Sequence, residues 1–243
     1  MKSLFKITIL FVSITLSSCG GDDGGDPPVT LPSTADIQGG VNLYDEGINQ
    51  IESSDMEISI SGTSISSLTD DQGSFLLADV PHGSATLTYE KSGYGTYKYF
   101  ISNLTADLII ADNPSLGKLS QTKVITCSVS TDGSEVIISS VTNGTNTTKR
   151  YLRYFLGTDD QVNDENYTAV TSGFESDPNS NPAKHLFTKQ DLIDLGFASG
   201  SQVYVKVYGD SFWANDYEDP SLNRRVFPNL NESSAEPVMF MVP

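Results

Sequence analysis

Between residues 36 and 114, apolar and polar positions alternate in short runs, and turn residues separate one run from the next. "VNLYD", "MEISISG", "SISSLT", "SFLLADV", "SATLTYE", "YKYFIS" and "DLIIAD" each carry the two-residue period of a half-buried strand. Side chains two apart share a face of an extended chain, so Phe75, Leu77, Leu87 and Tyr89 are predicted to enter one core. The reversals have their own chemistry. "DDQG", residues 70–73, supplies a carboxylate able to cap its own turn and a glycine that tolerates positive φ. "PHG", residues 81–83, marks a second reversal. Seven strands without a helical period predict a small Greek-key sandwich.

The pattern loosens after residue 117 but keeps its type. "KVITCSVSTDGSEVIISSVTNGTNTTKRYLRYFLGTDD" predicts two or three strands, with turns at "TDG" and "TNGTN". "SQVYVKVYGDS", residues 201–211, is the clearest strand. Val203, Val205 and Val207 lie on one face, and Tyr204, Lys206 and Tyr208 on the other. In the preceding "FTKQDLIDLGF" the period changes. Thr188 and Asp191 have capping-box spacing, and Leu192 and Leu195 form an apolar stripe, which predicts a helix of one or two turns. The chain is expected to be all-β, with tandem β-sandwich domains at residues 36–114 and 117–243 and one short helix.

The first residues follow another logic. Lys2 and Lys6 flank the start of the apolar run "ITILFVSITL", and residues 1–18 have the layout of a secretory signal. The run is too short for a helix to cross a hydrocarbon core of roughly 30 Å. "LSSC", ending at Cys19, resembles the lipobox of bacterial lipoproteins. That resemblance implies cleavage before Cys19 and acylation of its sulfur and new amino group. One acyl chain binds a membrane only marginally, whereas two or three anchor stably. Residues 19–35 are rich in Gly, Asp and Pro and read as a solvated tether. Asp22, Asp23 and Asp26 resemble the export signal of Bacteroidetes lipoproteins, which implies an outer-membrane protein facing outward. The alternative is that these aspartates only keep a linker soluble.

The run "GTSISSLTDDQGSFLLADVPHGSATLTYEKSGYGTY", residues 62–97, resembles the carboxypeptidase regulatory-like (transthyretin-like) domain. Thr69, Asp70, Gly73 and Phe75 match its T-D-x-x-G-x-F strand, Val80, Pro81 and Gly83 its turn, and Lys91, Gly93 and Tyr94 its K-x-G-Y. The resemblance implies a seven-stranded sandwich without catalytic groups, used as a spacer or docking module beside enzymes, receptors and surface lipoproteins. In the C-terminal part, strand order and "YVKVYG" resemble a fibronectin type III or immunoglobulin-like sandwich and imply fold class alone.

Charge narrows the partners. At a net −17, the chain repels nucleic acid and anionic headgroups, so neither is expected to bind. The expected partners are a membrane, through the lipid anchor, and a polysaccharide or an outer-membrane protein. Cys19 and Cys127 are the two cysteines, so acylation of the first leaves no disulfide within the chain. Cys127 stands in a strand pattern and reads as a small buried hydrophobe. The sequence contains no H-E-x-x-H helix, G-x-S-x-G elbow or glycine-rich phosphate loop. The E-x-D-x-x-E strand of one class of β-sandwich glycosidases fails at "ESDPNS", where Ser180 replaces the last acid. No catalytic residue is assigned.

Three stretches hold candidate chemistry. "GDSFWANDYEDP", residues 209–220, places Phe212, Trp213, Asp216 and Tyr217 together. Aromatic faces beside carboxylates suit a sugar ring, which needs stacking and hydroxyl contacts. Equally, Phe212 and Trp213 can plug the end of a sandwich. If the rings bind glycan, Trp213→Ala is expected to abolish retention on polysaccharide with little change in melting temperature. "GTDDQVNDENY", residues 157–167, offers Asp159, Asp160, Asp164 and Glu165 as oxygen ligands for Ca²⁺, or else forms a solvated acidic loop. "KRYLRYF" holds Lys149, Arg150 and Arg153, expected to form weak intramolecular ion pairs. The function expected is a non-catalytic cell-surface binding or accessory module. A structural or pilus-like spacer and an uncharacterised hydrolase are the alternatives.

Overall fold

The first half folds as alternating strands because its apolar residues alternate. The computed structural model describes residues 33–144, 149–176 and 180–243; the signal, Cys19 and the tether to Pro32 lie outside the described residues. Strands β1 (Thr34–Gly40), β2 (Asn42–Tyr44), β3 (Gln50–Ile51), β4 (Glu57–Ile60), β5 (Ser66–Leu68), β6 (Ser74–Pro81), β7 (Gly83–Glu90), β8 (Tyr97–Leu104), β9 (Leu108–Ile109) and β10 (Ser115–Gly117) follow one another. One sheet has the order β5-β4-β7-β8; the other is split into β6-β1-β9 and β10-β2-β3. Phe75, Leu77, Leu87 and Tyr89 all enter the common core, as their spacing predicts. Fully burying side chains of this kind contributes about 1.5–3 kcal/mol each.

Ten strands stand where seven were expected: β1, β3 and β10 are added to the seven predicted runs. Between β1 and β2, the Val41 N–H bonds the Gly73 carbonyl at 2.9 Å, next in register after the β1–β6 pair Gly40–Ser74. Gly73 has φ +80, and a Cβ there would lie 2.2 Å from the Val41 carbonyl oxygen, so the crossing requires glycine. Asp70 holds the same turn, accepting from the N–H groups of Gln72 and Ser74 at 2.9 and 2.8 Å. Strand β1 begins at Thr34, inside the stretch read as tether, because Ala35 and Ile37 point inward. Two pairings are parallel, β1 with β9 and β2 with β10.

The second half comprises β11 (Val124–Asp132), β12 (Glu135–Thr142), β13 (Arg150–Gly157), β14 (Ala169–Val170), β15 (Phe174–Ser176), β16 (Ala183–Thr188), helix α1 (Lys189–Asp194), β17 (Gln202–Asp210), β18 (Tyr217–Asp219), β19 (Arg224–Val226) and β20 (Val238–Met241). Its sheets run β11-β12-β16 and β14-β13-β17-β20, with β15 also on β13, and β18-β19 is a separate hairpin. Val203, Val205 and Val207 enter the core between the sheets. The opposite face is covered too, since Tyr208 packs with Phe155, Val162 and Phe227. Helix α1 starts at the expected capping box, Thr188 and Asp191 bonding each other's backbone N–H. Cys127 lies in β11 and packs against the core between the sheets, though it is only partly buried. Its Sγ lies 3.3 Å from Ser140 Oγ, and burial pushes the thiol pKa up. Both halves belong to one compact unit, Ser33–Pro243. Among the described residues no helix is long and apolar enough to cross a membrane.

Candidate binding cleft at the junction

Strand β17 delivers the chain to the seam between the halves. There Phe212 N–H bonds the Glu46 carbonyl at 3.0 Å, and Gly117 N–H bonds the Trp213 carbonyl at 3.3 Å. Asn229, with no exposed surface, holds the seam together. Its amide nitrogen lies 2.9 Å from the Gly117 carbonyl, 2.6 Å from Ser211 Oγ and 2.9 Å from the Trp213 carbonyl. Its Oδ1 accepts from Asn215 Nδ2 and from Gly95 N–H. Asn215 exchanges two more bonds with the Gly117 backbone, at 2.9 and 3.1 Å. It does so at φ 59, a conformation that asparagine tolerates better than most residues. A Cβ on Gly117 would meet the Trp213 carbonyl oxygen at 2.7 Å, so the close approach needs glycine. A buried amide network this well partnered rigidifies what it joins.

Aromatic rings cross the same seam. Trp213 lies 4.8 Å from Tyr44 at 37°, and 5.2 Å from Phe212, edge-on. Phe212 in turn meets Tyr151 at 5.7 Å, and Tyr217 stands edge-on to Tyr97 at 5.6 Å. Phe212 is 46% exposed, whereas Trp213 is half-buried. The Trp213 indole N–H is shielded from water and has no hydrogen-bond partner among the described residues. Trp213 therefore packs the junction, and Phe212 faces solvent. The expected near-constant melting temperature of Trp213→Ala is corrected accordingly, because that truncation strips packing from both halves. Phe212→Ala is the cleaner probe.

Charged groups line up behind the rings. Arg153 Nε donates to Asp210 Oδ2 at 2.6 Å, its Nη1 donates to the Thr171 carbonyl at 3.0 Å, and its guanidinium lies over the Phe227 ring. Asp216 stands 4.0 Å from Arg153 Nη2 and 3.2 Å from Arg225 Nη1, and Arg225 Nε donates to Glu218. Burial pushes the Asp210 carboxyl up in pKa, and the Arg153 charge pulls against it. The intramolecular pairing expected of these cations is present for Arg153, and it is buried, not exposed. Arg153 and Asp210 are both buried, as is Arg150, whose Nη2 donates to the Ser180 carbonyl at 2.7 Å.

Tyr97, Ser115, Arg153, Phe212, Trp213 and Asp216 line a cleft of about 490 Å³, a size typical of ligand sites. Burial raises the pKa of the Tyr97 and Tyr217 hydroxyls, which stay protonated at neutral pH and able to donate. Three of the four sequence candidates, Phe212, Trp213 and Asp216, thus converge on one cavity. Tyr217 reaches it indirectly, by packing on Tyr97. Tyr97, Arg225, Asn215 and Asn229 escape the sequence reading altogether. For Arg153 a signal existed: an arginine inside the apolar run "YLRYFLG" has to be paired if the strand is covered on both faces.

The acidic loop ends differently. Asp159 Oδ1 accepts from Gln161 N–H, Asp160 Oδ1 accepts from Gln161 Nε2, and Glu165 pairs with Arg224 at 2.6 Å. Asp164 lies against Tyr208 and adds to the rise of its hydroxyl pKa, which burial dominates. Among the described residues no three His, Cys, Asp or Glu side chains gather as ion ligands. A larger cavity, about 590 Å³, opens beside His185, Phe187 and Asp191. His185 stacks on Tyr154 at 4.6 Å, and burial lowers its pKa, so it stays neutral at pH 7. Asp191 is engaged in the helix cap. His82 sits in the tight turn between β6 and β7, where its N–H bonds the Ser33 carbonyl.

No known family profile matches the chain, and no curated protein matches it in sequence. Among solved structures it is similar to a Bacteroides uniformis protein provisionally named as carbohydrate-binding, at 11% identity over 86% of this chain and 99% of that one, with a TM-score of 0.31. It is also similar to a DUF3823 family protein from Parabacteroides merdae, at 12% identity over 83% and 97% of the two chains, TM-score 0.27. A type II cohesin–X–dockerin complex from Acetivibrio cellulolyticus matches 35% of this chain and 59% of that one, at 22% identity and a TM-score of 0.31. Likeness at these values assigns no activity.

Proposed function

We propose that this chain is a non-catalytic binding module that holds an uncharged glycan in the junction cleft. The observation that carries the reading is the exposed Phe212 ring standing in one cavity with Trp213, Tyr97, Asp216 and Arg153. A pyranose has an apolar C–H face and an edge of hydroxyls. The face suits an aromatic ring, and the edge suits carboxylates and guanidinium groups that accept and donate in fixed directions. The net charge of −17 opposes polyanionic glycans. The test is affinity electrophoresis in gels cast with amylopectin, xylan or galactomannan. The protein is expected to be retarded in at least one, and Phe212→Ala to migrate as in a blank gel. Unretarded wild-type protein in all three would overturn the reading.

We also propose that the module is moored to the outer membrane through Cys19 and faces outward, with its first half serving as a carboxypeptidase regulatory-like spacer. The signal layout, "LSSC" and the motif residues Asp70, Gly73 and Phe75 support this. Labelled palmitate is expected to mark the protein and to miss Cys19→Ser; equal labelling of both removes the anchor. A second reading, a rigid structural spacer without ligand, draws on the buried amide network at the seam. It predicts no retardation in any gel.

A further inference from the structure

We infer that the site is built for a polymer, a glycan chain spanning two clefts that meet at Phe212; this rests on the junction reading. Beside the first cleft lies a second of about 340 Å³, lined by Asp45, Glu46, Gly47, Ile48, Lys149 and Tyr151. One aromatic pair separates them. Phe212 lines the first cleft, Tyr151 lines the second, and their ring centroids are 5.7 Å apart. The wall is also continuous through the backbone, since Phe212 N–H bonds the carbonyl of Glu46 in the second cleft.

The second cleft repeats the chemistry of the first in smaller form. Ile48, 57% exposed, offers an apolar surface at the turn, and the Tyr151 ring another. Its acceptors are fixed in place. Asp45 takes the N–H groups of Gly47 and Asn49 at 2.7 and 3.2 Å, with the Asn49 amide on its other oxygen at 2.7 Å. Glu46 Oε1 is held by the Ser120 and Thr122 hydroxyls at 2.7 and 3.1 Å. Carboxylates oriented in this way accept from hydroxyls without first losing side-chain freedom, which favours a ligand bearing many hydroxyls. A single sugar fills one cleft; a chain running past Phe212 uses both.

The experiment is calorimetry with a chain-length series, disaccharide to hexasaccharide, of malto-, xylo- or manno-oligosaccharides, matching the polysaccharide that retards the protein. The hexasaccharide is expected to bind at least about tenfold tighter than the disaccharide. Ile48→Ala, with melting temperature checked, is expected to reduce that advantage, and an undiminished advantage in this variant would count against the second cleft. Equal affinity for both lengths in the wild type, with Phe212→Ala still weakening both, would overturn the two-cleft site and keep the junction reading. If Phe212→Ala weakens neither, the junction reading itself falls.

Discussion

Residues 157–167 and residues 209–220 have similar compositions, and each follows one of two neighbouring strands, β13 and β17. Both are rich in acids and carry aromatic residues. In the first, most polar groups bond within their own turn, Asp159 to Gln161 and Asn163 to Glu165 and Asn166, while Glu165 reaches out to Arg224. In the second, partners come from far along the chain. Asn215 bonds Gly117 across 98 positions, Asp210 bonds Arg153 across 57, and Asp219 meets Lys98 across 121. An acid whose donors lie next to it in sequence is satisfied locally and leaves a solvated loop. One that must wait for a donor from another strand ends at a junction of elements, where cavities form.

The largest expected effect tests the long-range half of that contrast. Arg153→Leu leaves Asp210 buried without its cation, and a loss of about 3–5 kcal/mol in urea denaturation is expected. Because burial raises the folded-state pKa of Asp210, ionising it opposes folding, and removal of Arg153 enlarges that effect. Relative to wild type, the variant should therefore recover stability as pH falls and lose it as pH rises through that raised pKa. A loss below about 1 kcal/mol would class the pair with surface ions. Next comes Asn229→Ala, which strips partners from buried groups at the seam. A loss of about 1–3 kcal/mol is expected, along with weaker retention in polysaccharide gels; unchanged retention would separate the amide network from the cleft. The smallest effect belongs to the loop. Asp159→Asn combined with Asp164→Asn is expected to change stability by no more than about 0.5 kcal/mol. Calcium chloride should shift the melting temperature of neither protein, and a shift in wild type that the double variant loses would make the loop an ion site after all.

The same contrast explains what could be read from sequence. Phe75, Leu77, Leu87 and Tyr89, the valines of β17, and the Thr188–Asp191 cap were legible because each depends on spacing within one element. The all-β class follows from those spacings. Phe212, Trp213 and Asp216 were legible as a group because they are neighbours in the chain. Their setting was not. Tyr44, Tyr97, Gly117, Arg153 and Asn229 reach the cleft or its supporting network from strands and turns with no shared local period. Strand number was misjudged for the same reason, since β1 takes its place from β6 and β9, and β10 from β2, partners distant in the chain.

The parallel pairing of β2 with β10, and of β1 with β9, has a mechanical side. The chain enters the first half at the start of β1 and leaves it at the end of β10. A force pulling Ser33 away from the second half therefore drags neighbouring strands in opposite directions along their length. Their hydrogen bonds, from Asn42 opposite Ser115 to Tyr44 opposite Gly117, are sheared together instead of being unzipped one at a time. A load applied at Ser33 against the second half would therefore meet these bonds in shear.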